Sequence, residues 1–181
     1  MNFVAIEGTN ADFSYNRMLL HYINRHFASE HRIEVCEIAD LPAFNADLDV
    51  NEQSAVLALD KKIKGADGVI IASPEYDHSI PAVLKSTIEW LSYQLNSFYK
   101  KPVLIVGASY GPQGSARAQF QLRQILSSPD VMANVLPGNE FLLGNVMQQF
   151  DDEQNLKDPT VIGNLETSFH DFVDYTTTFK K

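Results

Sequence analysis

A chain of 181 residues with 45% hydrophobic content has the size of one domain around one core, so a single unit over residues 1–181 is expected. Fourteen Lys and Arg against twenty-three Asp and Glu give a formal net charge of −9 with no basic stripe, which argues against a nucleic-acid partner. The single cysteine, Cys36, excludes an intrachain disulfide and points to a reducing, cytoplasmic setting; no run of about eighteen apolar residues offers a span for a membrane.

The first predicted element is a strand over Phe3–Ile6, too short and too free of preceding basic residues to be a signal peptide. It runs into Gly8-Thr9-Asn10-Ala11-Asp12-Phe13-Ser14-Tyr15-Asn16, a hydroxyl-rich loop ahead of a helix patterned on Leu19, Leu20, Ile23 and Phe27. A helix start leaves N–H groups unpaired and carries partial positive charge, so this loop is able to cradle a phosphate. The plainer reading makes Ser14 an N-cap and Gly8 a relief for the turn.

A second strand is expected over Ile33–Ile38, then a helix on Val56, Leu57 and Ile63, then a strand over Gly68–Ala72. The loop that follows begins Ser73-Pro74-Glu75-Tyr76-Asp77-His78. Ser79 as N-cap with Pro81 in the first turn would start the third helix, patterned on Ile80, Leu84, Ile88, Leu91 and Leu95. A short stiff loop at a strand's carboxyl end suits the edge of a planar ring, with Tyr76 offering a face for stacking and Glu75 expected to point away.

The fourth strand, Val103–Ala108, leads into Ser109-Tyr110-Gly111-Pro112-Gln113-Gly114, a forced turn with Tyr110 placed to cover a bound ring. A helix on Ala118, Leu122, Ile125 and Leu126 and a fifth strand over Glu140–Leu143 follow. A polar loop from Asp151 to Asp158 then precedes a last helix on Leu165, Phe169, Phe172 and Val173. Continuously apolar strands alternating with helices predict an open, doubly wound α/β sandwich, a five-stranded parallel sheet of order 2-1-3-4-5 with helices on both faces. Its ligand crevice lies beyond the carboxyl ends of the strands, where these loops gather. No Walker loop and no Gly-x-Gly-x-x-Gly fingerprint is present.

At these loops the sequence resembles the NADPH-dependent FMN reductases, which include quinone, azo-dye and chromate reductases of flavodoxin-like fold. Ser73 to Ser92 is similar, almost residue by residue, to the family's Thr-Pro-Glu-Tyr-Asn-x-Ser-x-Pro-x-x-Leu-Lys-Asn-x-Ile-Asp-Trp-Leu-Ser signature. Gly8 to Asn16 is similar to its phosphate loop, and Gly114 to Leu126 to one of its helices. The resemblance implies that Thr9, Ser14, Tyr15 and Asn16 hold an FMN phosphate, Pro74, Glu75, Tyr76 and Asp77 the isoalloxazine edge, and Ser109, Tyr110 and Gly111 the opposite side. It further implies hydride transfer from NADH or NADPH through FMN to a quinone, azo, flavin or metal-oxyanion acceptor by a ping-pong route, with no catalytic triad and no metal.

The family's usual arginine is replaced by Ala11, next to Asp12, so no strong preference for the extra phosphate of NADPH is expected. Asp77-His78 stands where the family favours Asn-Gly, a pair that tolerates positive φ. Val83 and Trp90, with Tyr93, Phe98 and Tyr99 nearby, read as surplus apolar surface around residues 79–97, suited to a homodimer or homotetramer of the kind the family forms. Competing readings are a flavodoxin-type electron carrier, for which the acidic balance suits docking, and a non-catalytic module that has lost FMN.

Overall fold

A computed structural model describes residues 1–138 and 140–180. The elements are β1 (Asn2–Glu7), α1 (Tyr15–His26), β2 (Arg32–Cys36), α2 (Ser54–Gly65), β3 (Gly68–Ala72), α3 (Ala82–Ser92), β4 (Pro102–Ala108), α4 (Ala116–Leu126), β5 (Asn134–Val135), β6 (Phe141–Leu143) and α5 (Pro159–Thr177). The sheet runs β2-β1-β3-β4-β5, every pairing parallel, and β6 also pairs with β4. This is the flavodoxin-like order expected from the alternation of strands and helices.

Alternation along the strands splits the core into two layers. Phe3, Ala5, Ile70, Ala72, Leu104 and Val106 face α1 and α5, where Leu19, Leu20, Ile23, Phe169 and Phe172 cover them. Val4, Ile6, Val69, Ile71, Val103 and Ile105 face the other way, onto Leu59 and Ile63 of α2, Leu84 and Ile88 of α3, and Leu122 of α4. Both faces are closed, which is why β3 and β4 are apolar without interruption.

Three expectations need correction. The fifth strand is two short pieces. Asn134–Val135 pairs with Pro102 and Val103, and Phe141–Leu143 pairs with Val106 to Ala108; Pro137, which has no N–H to donate, and Gly138 at φ +81° fall between them. Helix α3 begins at Ala82 with Pro81 as its N-cap residue, and Ser79 is drawn into a hairpin instead. Trp90 is not surplus surface. It is fully buried against Val50 and Val56, with Leu41, Phe44 and Leu95 beside it, and its indole N–H donates to the Pro42 carbonyl at 2.8 Å. The segment between β2 and α2 folds back as a lid over this side of α3, so the helix's second apolar stripe is covered by its own chain.

Candidate active site

The carboxyl ends of β1, β3 and β4 open onto a cavity of about 430 Å³, within the range of about 300–1,000 Å³ usual for small-molecule sites. Nine of the expected residues line it: Ser14, Tyr15, Asn16, Pro74, Glu75, Tyr76, Ser109, Tyr110 and Gly111. Thr9 and Asp77 do not line it. Thr9 is buried beneath the rim, its Oγ1 accepting from the Ala11 N–H at 3.2 Å and lying 3.0 Å from the Tyr76 Oη, so it ties the first loop to the second.

The first loop is shaped by Gly8, whose N–H donates to the Ala72 carbonyl at 2.8 Å; a Cβ there would meet that same oxygen at 2.4 Å. Ser14 caps α1, its Oγ accepting from the N–H groups of Asn16 and Arg17 at 3.1 Å each. Its single proton goes to Glu7 Oε1 at 2.6 Å. Asn16 is tied to β4 by one of its two amide N–H groups, which donates to the Ala108 carbonyl at 3.1 Å, and by its Oδ1, which accepts from the Ala108 N–H at 2.9 Å. The Ser14 hydroxyl proton is thus engaged, whereas the Asn16 amide keeps one further N–H beside the cavity. The N–H groups of Phe13, Ser14 and Tyr15 make no hydrogen bond among the described residues, and they are the donors this loop presents.

In the second loop Tyr76 and Ser79 exchange backbone hydrogen bonds at 3.0 and 2.9 Å, with Asp77 and His78 at φ +49° and +63° between them. This is a tight hairpin turn that needs two positive φ values, and Asp-His fills the role of the more permissive Asn-Gly. Gln121 of α4 anchors it, accepting from the Ser79 hydroxyl and from the Ile80 N–H. Glu75, expected to point away, instead lines the cavity together with its partner Arg117: the carboxylate pairs with Arg117 at 2.9 Å and accepts from the N–H groups of Arg117 and Ala118. It thereby caps α4, because Ser115 at φ +63° makes no side-chain cap. Burial acts to raise the Glu75 carboxyl, but Arg117 and the two backbone donors prevail and hold it below the usual range.

In the third loop Tyr110 is 65% exposed and meets Tyr15 edge-on at 5.6 Å, so two aromatic rings bound this side of the mouth. The Ser109 hydroxyl donates to the Gly111 carbonyl at 3.0 Å and stiffens the turn. Gly114, at φ +55°, allows the backbone of Leu142 to approach within 2.4 Å of where a Cβ would sit, which packs β6 beneath the loop.

Sequence reasoning missed Phe13, Gln113, Ser115, Arg117 and Val146 in the lining, and Glu7 behind it. Glu7 left a readable signal, a carboxylate at the last position of a buried strand. Burial lifts its carboxyl to about 7, against the lowering pull of the Ser14 hydroxyl and the Arg17 guanidinium.

Residues 1–148 match the family model described as NADPH-dependent FMN reductase. The chain belongs to this family. It is an oxidoreductase of a family that uses NAD(P)H with FMN and reduces flavins or quinones. It is 51% identical over 176 residues to the NADH:(hydroxy)cinnamate reductase subunit CrdA of Vibrio ruber, covering 97% of this chain and 87% of that one. It is 45% identical to the NADH-dependent flavin reductase subunit 2 of Lactobacillus johnsonii, covering 97% of both. Among solved structures, the flavoenzyme NAD(P)H:(acceptor) oxidoreductase FerB of Paracoccus denitrificans superposes with a TM-score of 0.88 at 26% identity, covering 98% of this chain and 97% of that one. No helix among the described residues is long and apolar enough to cross a membrane.

The residues present fit FMN. The cavity combines unpaired N–H donors at a helix start, suited to a phosphate, with Pro74, Tyr76 and Tyr110 as walls for a planar ring.

Proposed function

We propose that this chain is an FMN-dependent reductase that draws on NADH at least as readily as NADPH and serves a small-molecule acceptor by a ping-pong route. The observation that carries the reading is the cavity itself, with free N–H groups of α1 at one end and the Tyr76 and Tyr110 rings at its mouth. Bound FMN would supply the hydride chemistry. The protein's part is position and electrostatics: the N–H groups of Phe13, Ser14 and Tyr15 would hold the phosphate, and the backbone of Pro74 to Tyr76 would face the ring edge. Ser109 to Gly111 close the far side, while Thr9 and Asn16 hold these loops in place. Arg117 neutralises Glu75, so no unpaired carboxylate lies beside a ring that gains negative charge on reduction.

The open mouth admits donor and acceptor to the same face in turn, which supports ping-pong order. The case for NADH rests on the first loop. Ala11 and Asp12 supply no cation, and the Arg17 guanidinium is committed to Glu37 and to the carbonyls of Ala11 and Asp12. Both relatives named above carry NADH in their names. Acceptors of the quinone, azo, flavin or metal-oxyanion classes suit so open a mouth. Both relatives are also named as subunits, which favours a second reading in which the acceptor is carried on a partner chain.

The free, buried Cys36 and the demand for reduced nicotinamide support a cytoplasmic setting. Self-association through the α3 region rests on the exposed Tyr93 and Tyr99 and the half-buried Val83, a smaller patch than one containing Trp90.

The test is the visible spectrum after FMN loading and desalting, followed by NADH or NADPH without oxygen. Retained yellow colour bleached by NADH supports the reductase. A colourless protein overturns it, and colour that neither nucleotide bleaches assigns an electron carrier. Light scattering of the loaded protein separates monomer from dimer and tetramer.

A further inference from the structure

The phosphate end of this site rests on a buried acid. Glu7 is the last residue of β1 and is fully buried. Its Oε1 accepts from Ser14, and its Oε2 is buried with no hydrogen-bond partner among the described residues. The Ser14 hydroxyl has one proton, given to Glu7, while its lone pairs serve the N–H groups of Asn16 and Arg17. With Glu7 ionised, a phosphate at the start of α1 would find a serine that donates nothing to it and a carboxylate directly behind.

We propose that Glu7 takes up one proton from solvent when a phosphate-bearing ligand binds at the β1–α1 loop, and that Ser14 then turns its own hydroxyl proton toward that ligand. The inference deepens the FMN reading and rests on it. A proton on Glu7 Oε1 donates to Ser14 Oγ in place of one of the two helix N–H groups, which frees that N–H and the serine's own hydrogen for the phosphate. One proton enters for each ligand bound, and only hydrogen bonds at Ser14 are exchanged.

The surroundings leave Glu7 no other way to lose its charge. The charged groups acting on it are Arg17 from the first turn of α1 and Glu37 from the segment after β2. These two pair with each other at 2.7 Å, so the arginine's charge is already matched. Burial holds the carboxyl near neutrality, so the uptake falls in an accessible range.

The test is calorimetric titration of FMN in two buffers of different ionisation enthalpy, repeated from about pH 6.5 to about pH 9, above the second ionisation of a phosphate monoester. The wild-type chain is expected to take up close to one proton at the alkaline end, its Kd rising toward tenfold per pH unit. Glu7→Gln, which is neutral and can donate to Ser14, is expected to take up none and to bind FMN more tightly than wild type at about pH 8.5. Riboflavin, lacking the phosphate, is expected to show little proton uptake with either protein. Zero uptake by wild type on binding FMN, or the same uptake by Glu7→Gln, overturns the proposal. Should Glu7→Gln not fold, the wild-type proton count with FMN against riboflavin still decides it. Should neither flavin bind, the FMN reading fails by itself, and inorganic phosphate becomes the probe. A melting-temperature rise with phosphate that shrinks from about pH 7 to about pH 8.5 then supports the linkage, and an equal rise at both overturns it.

Discussion

Asn16 and Ala108, 92 residues apart in sequence, exchange a pair of hydrogen bonds that fastens the first turn of α1 to the end of β4. Each bond is buried, and together they set the distance between the phosphate end of the cavity and the Tyr110 loop. Asn16→Ala leaves the Ala108 N–H and carbonyl unsatisfied, at about 1–3 kcal/mol for each buried group. Urea unfolding should show a loss of about 3 kcal/mol, and flavin titration a weakened FMN complex. Unchanged stability would show that water or a shifted loop replaces the bonds.

The Asp77-His78 turn holds two non-glycine residues at positive φ, where left-handed backbone costs about 1–2 kcal/mol per residue. Asp77→Asn combined with His78→Gly should relieve most of that strain, less the extra freedom glycine adds to the unfolded chain. A net gain of about 1 kcal/mol is expected, read as a higher Tm, with FMN binding retained. A lower Tm would mean that the Asp77 or His78 side chain makes a contribution larger than the strain.

Glu7 makes stability depend on pH in a defined sense. Its folded carboxyl sits at about 7, above the ordinary value of 4.5, so between those values the folded chain binds more protons than the unfolded one. The contribution is full below the lower value and is lost as pH rises through the upper one, by about 3 kcal/mol in all. Denaturant titrations of the flavin-free protein between about pH 5 and about pH 8 should show wild type losing stability relative to Glu7→Gln. A constant difference across that window would remove Glu7 as the cause.

The proposed lack of preference for NADPH rests on the first loop. Ala11→Arg places a cation beside Asp12 where the extra phosphate of NADPH would approach, and charge-assisted bonds to phosphate are strong. The ratio of kcat/KM for NADPH over NADH should rise by about tenfold in steady-state assays of the loaded enzyme. An unchanged ratio would place the 2′-phosphate away from this loop.

Much of this molecule was determined by its sequence alone. The alternation of apolar strands with amphipathic helices led to the order 2-1-3-4-5, since buried parallel strands need covering on both faces and right-handed crossovers leave few ways to arrange them. The three loops that line the cavity follow from that order, because each sits at the carboxyl end of its strand. What each side chain does there was decided by the tertiary structure. Ser14, Asn16 and Thr9 carry polar groups that a local reading assigns to a ligand, and in the folded chain each also has a partner of its own, Glu7, Ala108 and Tyr76. Trp90 lies on the second side of a helix that looks open until the segment around Val50 folds over it. Apart from Glu7, seven residues before Ser14, the partner is distant in the chain, and a buried polar atom or a large ring takes whichever partner packing brings within reach. Periodicity reports which face is buried; only the folded chain shows against what.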